Sequence, residues 1–336
     1  MRLLGKYGAK QEVQKNRQIW DYLAIWVRPN WETLRLLVPV AILWVALAFL
    51  SPSFLTVTNV TNIFVNAAPL ALAAAGLTVV MIAGDLDLSV GSAMALVSTA
   101  CALLMVQYDV FWVLALLIGL LIGVATGTVN GLLSTTFNIP SFIVTLAMMS
   151  TLRGIALVLS NGQAVTGLPS SVTSIATTTM FGLSAIIWIP AVVIPTLGFI
   201  LSRTSLGLNI YAVGGNREAA KIAGVPIRRT RVIVLSISGA MAGFAGIIST
   251  ARLGVGSPII AQDLILDAIA AVVIGGTSLF GGVGRMSGTV LGVILIATIR
   301  NGLVLMNVSA FYQSVVIGLV ILAATSLDSV GSKRDD

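Results

Sequence analysis

The sequence contains no histidine and a single cysteine, and only 9% of its residues are charged. Without histidine the chain lacks the commonest metal ligand and the commonest general base, which disfavours a metalloprotease or a His-dependent hydrolase. A lone Cys101 cannot form an intrachain disulfide and does not support a thiolate metal site. No Gly-x-x-x-x-Gly-Lys-Ser/Thr phosphate loop occurs, so any ATP hydrolysis is expected in another polypeptide. We expect no metal, no cofactor and no catalytic residue.

Hydrophobic residues dominate instead, at 57% of the chain, with a mean hydropathy of +1.03. Soluble domains carry about a quarter charged residues. The composition therefore predicts an all-α polytopic membrane protein, embedded in lipid.

The basic residues are concentrated in three places, and they give the chain a net charge of +7. Seven lie before Leu36, six lie in residues 203–231, and Lys333 and Arg334 lie in the tail. By the positive-inside rule these three segments are cytoplasmic. A nucleic-acid surface is the disfavoured alternative. The first apolar run starts only near Leu36, so no cleavable signal is expected.

Apolar runs long enough to cross a bilayer recur about ten times. From a cytoplasmic N-terminus, six membrane crossings place the basic loop in the cytoplasm, and four more place residues 327–336 there. Both termini are therefore expected to be cytoplasmic. Residues 1–33 are predicted as an interfacial helix or, equally, as a basic tail with tryptophan anchors. The transmembrane domain is predicted over 34–326. The spans are 34–50, 62–83, 88–106, 110–134, 140–160, 185–202, 232–250, 263–282, 286–306 and 310–325.

The basic loop 203–231 contains signals for one short helix. Asn216 is a good N-cap, and Glu218 and Lys221 have the charges that suit the first and last turns. Gly224 favours a left-handed C-terminal residue. A helix of about two turns is marginal alone, so we expect this one to dock on a cytoplasmic partner. The predicted docking residues are Gly214, Gly215, Asn216, Glu218, Ala219, Ala220 and Gly224.

Two acids lie at a predicted span boundary, Asp85 and Asp87. Buried charge in a bilayer is costly, so they are expected either in water or held by backbone donors. Asp87 is expected to cap the next helix, with Ser89 and Gly91 shaping the turn; the alternative is a gate or proton site.

Other charged residues lie within or beside apolar runs, and they are candidates for a pathway or its gate. Arg153 must face protein or a water-filled path, and a substrate hydroxyl is one possible partner. Asp267, with Arg252 and Asp263, is expected at the outer rim, in an ion pair or a partner contact. Helix-to-helix hydrogen bonds are expected for Asn130, Asn138 and Asn301. The pathway candidates are Asp85, Asp87, Ser89, Arg153 and Asp267.

Three separated motifs resemble one family, the membrane permeases of bacterial ABC importers of the ribose, xylose and galactose type. They are Gly84-Asp85-Leu86-Asp87-Leu88-Ser89-Val90-Gly91-Ser92, Tyr211 to Ala220, and Leu266 to Leu279. The resemblance covers nearly everything after Leu36. The sequence departs from the commonest family pattern at Asp85 and Arg300.

The resemblance implies a multi-pass subunit of the bacterial inner membrane. It also implies two ATPases, a second permease copy that is identical or a paralogue, and an extracytoplasmic sugar-binding protein. The loop equivalent to residues 214–220 is then the ATPase contact. A proton-coupled secondary transporter using Asp85 or Asp87 is the alternative, and an intramembrane enzyme is a weaker one.

Overall fold

The protein is described by a computed structural model that covers residues 36–332. The predicted interfacial segment 1–33 lies outside the described residues. Helices dominate, joined by loops and one small hairpin. The elements are α1 (Leu36–Leu50), α2 (Val57–Ile82), α3 (Val90–Val106), α4 (Trp112–Thr136), α5 (Ser141–Leu159), α6 (Ser170–Thr177), β1 (Thr179–Met180), β2 (Leu183–Ser184), α7 (Ala185–Arg203), α8 (Ser205–Gly215), α9 (Arg217–Ile222), α10 (Ile227–Leu253), α11 (Leu264–Ile274), α12 (Met286–Leu305) and α13 (Ala310–Ser332).

Six of the described helices, α2, α4, α5, α7, α10 and α12, are long and apolar enough to cross a membrane. Helices α1, α3, α11 and the first half of α13 are apolar but shorter. The all-α polytopic fold is therefore confirmed, while the count of ten spans and the side of each terminus stay predictions. Helix α13 continues to Ser332, so the predicted tail begins as helix.

Helix α2 lies at the centre of the bundle. In an 18-residue apolar stretch of α2, 78% of the residues are buried. The helix packs against α7, α10, α11 and α12. The Thr56 hydroxyl caps its start by accepting from the backbone N–H of Asn59 at 3.3 Å. In the interior, the hydroxyls of Thr78 and Thr289 are 2.6 Å apart, which links α2 to α12. Helices α5 and α7 are mostly exposed, as expected for helices that face lipid.

Glycines spaced by four residues bring α4 and α10 into close contact. A Cβ atom at Gly127 would lie 2.1 Å from the carbonyl oxygen of Leu235, and one at Gly123 would lie 2.6 Å from that of Gly239. No larger residue fits without moving a helix. Small residues at four-residue spacing allow this close approach, while Gly119, four residues earlier, faces the Cys101 thiol of α3.

The eighth predicted span, 263–282, is wrong as a continuous helix. Helix α11 has 11 residues and rises only about 16 Å, roughly half of a bilayer's apolar core. Glycines 275 and 276 end it, and residues 275–285 form a turn before α12. The polar stretch before α7, for which the sequence predicted no element, forms α6 and the β1–β2 hairpin.

Candidate functional site

Helix α9 is the short helix predicted in the basic loop. The Asn216 side chain accepts a hydrogen bond from the backbone N–H of Ala219 at 2.9 Å. Glu218 lies in the first turn, Lys221 lies in the last, and Gly224 has a φ of 79°. The predicted caps are therefore confirmed. The loop also contains α8, a helix that the sequence analysis missed, and the first turn of α10.

The predicted docking residues divide into two sets. Gly215, Asn216, Glu218, Ala219 and Gly224 are exposed. Gly214 and Ala220 instead face the protein, and Ala220 is only 3% exposed. An unpredicted side chain, Ile222, is 88% exposed at the end of α9.

Gly224 allows a test of the α9 cap without steric interference, because a Cβ there would meet nothing within 4 Å. Gly224→Val is expected to destabilise the end of α9, because a β-branched residue tolerates positive φ poorly. The loss should be about 1–2 kcal/mol. Limited proteolysis of the 223–226 segment would measure it, and Gly224→Asn, which tolerates the left-handed region, is the control. Equal proteolysis rates in both variants and wild type would contradict the cap.

Three glycine segments meet beside α8. A Cβ at Gly214 would lie 1.7 Å from the carbonyl oxygen of Ile82, and one at Gly281 would lie 2.8 Å from Cα of Gly84. The backbone N–H of Gly282 donates to the Ile82 carbonyl at 2.9 Å. The end of α2, the end of α8 and the turn 275–285 therefore come into direct backbone contact. We call this contact the glycine cluster.

Asp85 lies under α9 and is only 4% exposed. Its carboxylate accepts from Arg231 Nε at 2.7 Å and Nη2 at 2.8 Å, and from Arg217 Nη2 at 3.0 Å. The Ser141 hydroxyl donates to it at 2.9 Å. Two guanidiniums from different helices thus converge on one buried carboxylate. Arg217 is the first residue of α9, so this carboxylate ties α9 to α5 and α10.

Asp87 lies deeper in the bundle and has no cationic partner among residues 36–332. Its carboxylate accepts from the backbone N–H and hydroxyl of Ser89 at 2.9 and 2.6 Å, and from the Ser238 hydroxyl at 2.7 Å. Asn130 Nδ2 donates to the Ser89 hydroxyl at 2.8 Å. Burial raises the pKa of Asp87, and the serine hydrogen bonds oppose that rise. Ser238 lies about 16 Å from the start of α10, so the 83–89 loop dips into the bundle.

Neither Asp85 nor Asp87 lies in water. Among the described residues, the expected backbone donors are absent at Asp85, which accepts from side chains only. They are confirmed in part at Asp87, which accepts from the backbone N–H of Ser89 as well as from two hydroxyls. The expectation that Asp87 caps the next helix was wrong. Helix α3 begins at Val90 with Ser89 at its N-cap position, so Asp87 does not cap it. Asp87 accepts from Ser89 across a tight turn instead, because a carboxylate two residues back reaches that N–H best.

Arg153 pins an unwound segment between α10 and α11. Its Nη1 donates to the carbonyl oxygens of Pro258 at 2.6 Å and Ile260 at 3.0 Å. A Cβ at Gly91 would lie 2.7 Å from the Ala261 carbonyl, so this segment reaches the start of α3. Unwound backbone at this depth needs internal partners for its carbonyls. The partner of Arg153 that the sequence left open is thus this backbone.

At the predicted outer end, Asp267 is buried and pairs with Arg300 on α12. Arg252 and Asp263 take no part in this pair. Asn301 and Asn59 exchange two amide hydrogen bonds, at 2.8 and 3.0 Å. The helix-to-helix role expected for Asn301 is confirmed, and Asn130 bonds to the N-cap of another helix. The expectation for Asn138 was wrong, because it has a φ of 53° in the α4–α5 turn and its side chain bonds to no other described residue.

A bundle of long apolar helices, with charged side chains buried in its interior and a capped helix exposed at its surface, has the architecture of a polytopic membrane protein. The family described as "Branched-chain amino acid transport system / permease component" matches residues 59–325. The chain belongs to this family. It is therefore a multi-pass permease of the cell membrane.

Named relatives cover most of the chain. The ribose import permease protein RbsC of Bacillus subtilis is 44% identical over 85% of this chain and 89% of its own. The probable ABC transporter permease protein YphD of Escherichia coli is 39% identical over 89% and 90%. The L-arabinose transport system permease protein AraH of Escherichia coli is 37% identical over 90% and 92%. No solved structure matches the chain.

Proposed function

We propose that this chain forms the membrane pathway of an ATP-driven importer for a monosaccharide. The observation that carries the proposal is the similarity, over most of both chains, to permeases named for ribose and L-arabinose. The family description names branched-chain amino acids instead, so the substrate class is the first point to test. An extracytoplasmic binding protein delivers the sugar, and a second permease copy completes the pathway.

Helix α9 is the contact for the ATPase in this proposal. Its exposed residues include Ala219 and Ile222, which present a small and an apolar side chain to the ATPase. Its inward residues join it to the bundle, through Ala220 and through the Arg217 contact with Asp85. Movement of α9 by the ATPase would therefore be transmitted to α5 and α10 through the Asp85 carboxylate. Rigid movement of packed helices would then open the opposite face.

Uptake experiments distinguish the substrate classes. Membrane vesicles that contain the chain with its ATPase and binding protein are expected to accumulate D-ribose or L-arabinose, and not L-leucine. Accumulation should require ATP and persist with a proton uncoupler. Uptake that survives ATP depletion and collapses with the uncoupler would support the proton-coupled alternative. Among the two acids, only Asp87 lacks a guanidinium partner within residues 36–332, so Asp87→Asn would then be the variant to measure.

The ATPase contact is tested by Ala219→Arg. Bulk and charge at this exposed position are expected to prevent an ATPase from docking, while the chain still inserts into the membrane. A pull-down in mild detergent from native cells, followed by mass spectrometry, should recover a Walker-motif ATPase with wild type only. Gln107→Arg adds the same side chain to an exposed position after α3 and should retain the ATPase. Recovery with Ala219→Arg as well would contradict docking on α9.

A further inference from the structure

A polar cavity of about 560 Å³ opens between α2, α11 and α12. This volume is within the range of about 300–1,000 Å³ that is typical of small-molecule sites. Its wall contains eight polar or charged side chains, an unusual number for a chain with 9% charge. They are Asn66, Arg252, Gln262, Asp263, Asp267, Arg300, Asn301 and Gln313.

Several of these side chains have unused hydrogen-bonding capacity. Asn66, Gln262 and Asp263 are exposed, and their side chains bond to no residue of the 36–332 range. Arg300 bonds to Asp267 through Nη2, while its buried Nε has no partner among the same residues. Amides and a carboxylate supply acceptors, and amides and guanidiniums supply donors. The cavity wall therefore presents both hydrogen-bond donors and hydrogen-bond acceptors to a bound ligand.

The charges in this cavity balance. Arg252 and Arg300 are matched by Asp263 and Asp267, so the wall has no net charge to attract an ion. A neutral ligand whose hydroxyls both donate and accept fits it best. A second cavity of about 320 Å³, between α2, α7 and α12, is lined almost wholly by apolar side chains. It would leave such hydroxyls unpaired, which costs about 1–3 kcal/mol for each buried group.

We propose that the polar cavity binds a neutral monosaccharide, and that Asn66 and Gln262 contact its hydroxyls directly. The Asp267–Arg300 pair presents fixed acceptors and donors beside them. This inference rests on the proposed function and assigns its substrate a location.

The polar cavity adjoins a second, smaller cavity that lies nearer the bundle interior. Ala261 and Gln262 belong to the segment pinned by Arg153, and both also line a smaller cavity of about 240 Å³. Ser92, Ser150 and Arg153 line that smaller cavity. The unwound segment thus separates the sugar site from a second polar space nearer Asp87. Sugar leaving the site inward would pass this segment.

Single-cysteine labelling tests the site. The native Cys101 is buried, so wild type should not react with a membrane-impermeant maleimide. Gln262→Cys and Asn66→Cys in the assembled importer should each react. D-ribose or L-arabinose, whichever is taken up, should slow labelling by about tenfold at ten times its Kd, by mass action. Gln107→Cys, on an exposed turn outside the cavity, should react at the same rate with and without sugar.

The outcomes separate this inference from the proposed function. Uptake of a pentose with no protection at either cysteine would overturn the sugar site and leave the importer proposal standing. Protection without uptake would support the site and count against the transport cycle. In uptake assays, Gln262→Ala should raise KM for the transported sugar while kcat changes less; an unchanged KM would contradict direct contact.

Discussion

Asp85→Ala is expected to lower the free energy of unfolding by about 3–5 kcal/mol, the cost of leaving a buried charge without its partner. The charge left behind is Arg231, whose side chain is only 11% exposed and makes two hydrogen bonds to Asp85. The Ser141 hydroxyl loses its acceptor as well. A single carboxylate thus neutralises a guanidinium that has no other anionic partner within residues 36–332.

The matched control uses the second guanidinium on the same carboxylate. Arg217 is 43% exposed, so Arg217→Gln should cost at most about 1 kcal/mol, as for a solvated ion pair. Because Arg217 joins α9 to Asp85, this variant should nevertheless weaken the dependence of ATP hydrolysis on sugar-loaded binding protein. Asp85→Ala combined with Arg231→Met should recover much of the lost stability, since it removes the stranded charge.

Stability can be followed with the protein's own thiol. Cys101 is the only cysteine and is fully buried, so a fluorogenic maleimide reacts only as the bundle opens. Heating each detergent-solubilised variant with the dye gives an unfolding curve. An Asp85→Ala curve that coincides with the Arg217→Gln curve would show that the buried pair contributes no more than the exposed one.

Gly214→Ala is expected to have the second large effect. A methyl group there would lie 1.7 Å from the Ile82 carbonyl oxygen and 2.7 Å from the Gly282 backbone nitrogen. Both neighbours are backbone, so α8 must move as a whole. We expect a loss at the upper end of the about 1–3 kcal/mol typical of overpacking, together with loss of ATPase recovery, because α8 leads directly into α9.

Gly215→Ala is the control from the next position. A Cβ at Gly215 meets nothing within 4 Å, and the residue is still within α8. It should be neutral or slightly stabilising, since alanine favours helix. If both alanines left the Cys101 unfolding curve and ATPase recovery unchanged, the glycine cluster would have no structural importance.

The sequence predicted α9 because the signals for that helix are local. Asn216, Glu218, Lys221 and Gly224 act within one or two turns, so spacing alone sets the caps. The same spacing could not tell Ala219 from Ala220, because only the rest of the fold decides which face of a short helix is buried.

The partners of the buried charges could not be predicted in this way. Asp85 meets Arg231 across 146 residues, and Arg153 meets Pro258 across 105. The cost of charge in lipid requires that partners exist, but it does not say which residues they are. The segment between α10 and α11 contains Gly254, Gly256 and Pro258 and lies between the predicted spans 232–250 and 263–282, so its lack of helix was expected. Its contact with Arg153 could not be predicted, because Arg153 lies far away in the sequence, on α5.

The central position of α2 has a consequence for the order of synthesis. Its buried faces contact α7, α10, α11 and α12, the first of which begins only at Ala185. A ribosome delivers α2 long before any of these helices exists. The helix must therefore be stable in lipid alone, which explains why residues destined for the core, such as Leu72 and Val80, are as apolar as those that face the bilayer. Late helices then displace lipid from α2, and Thr289 reaches Thr78 only when the chain is nearly complete.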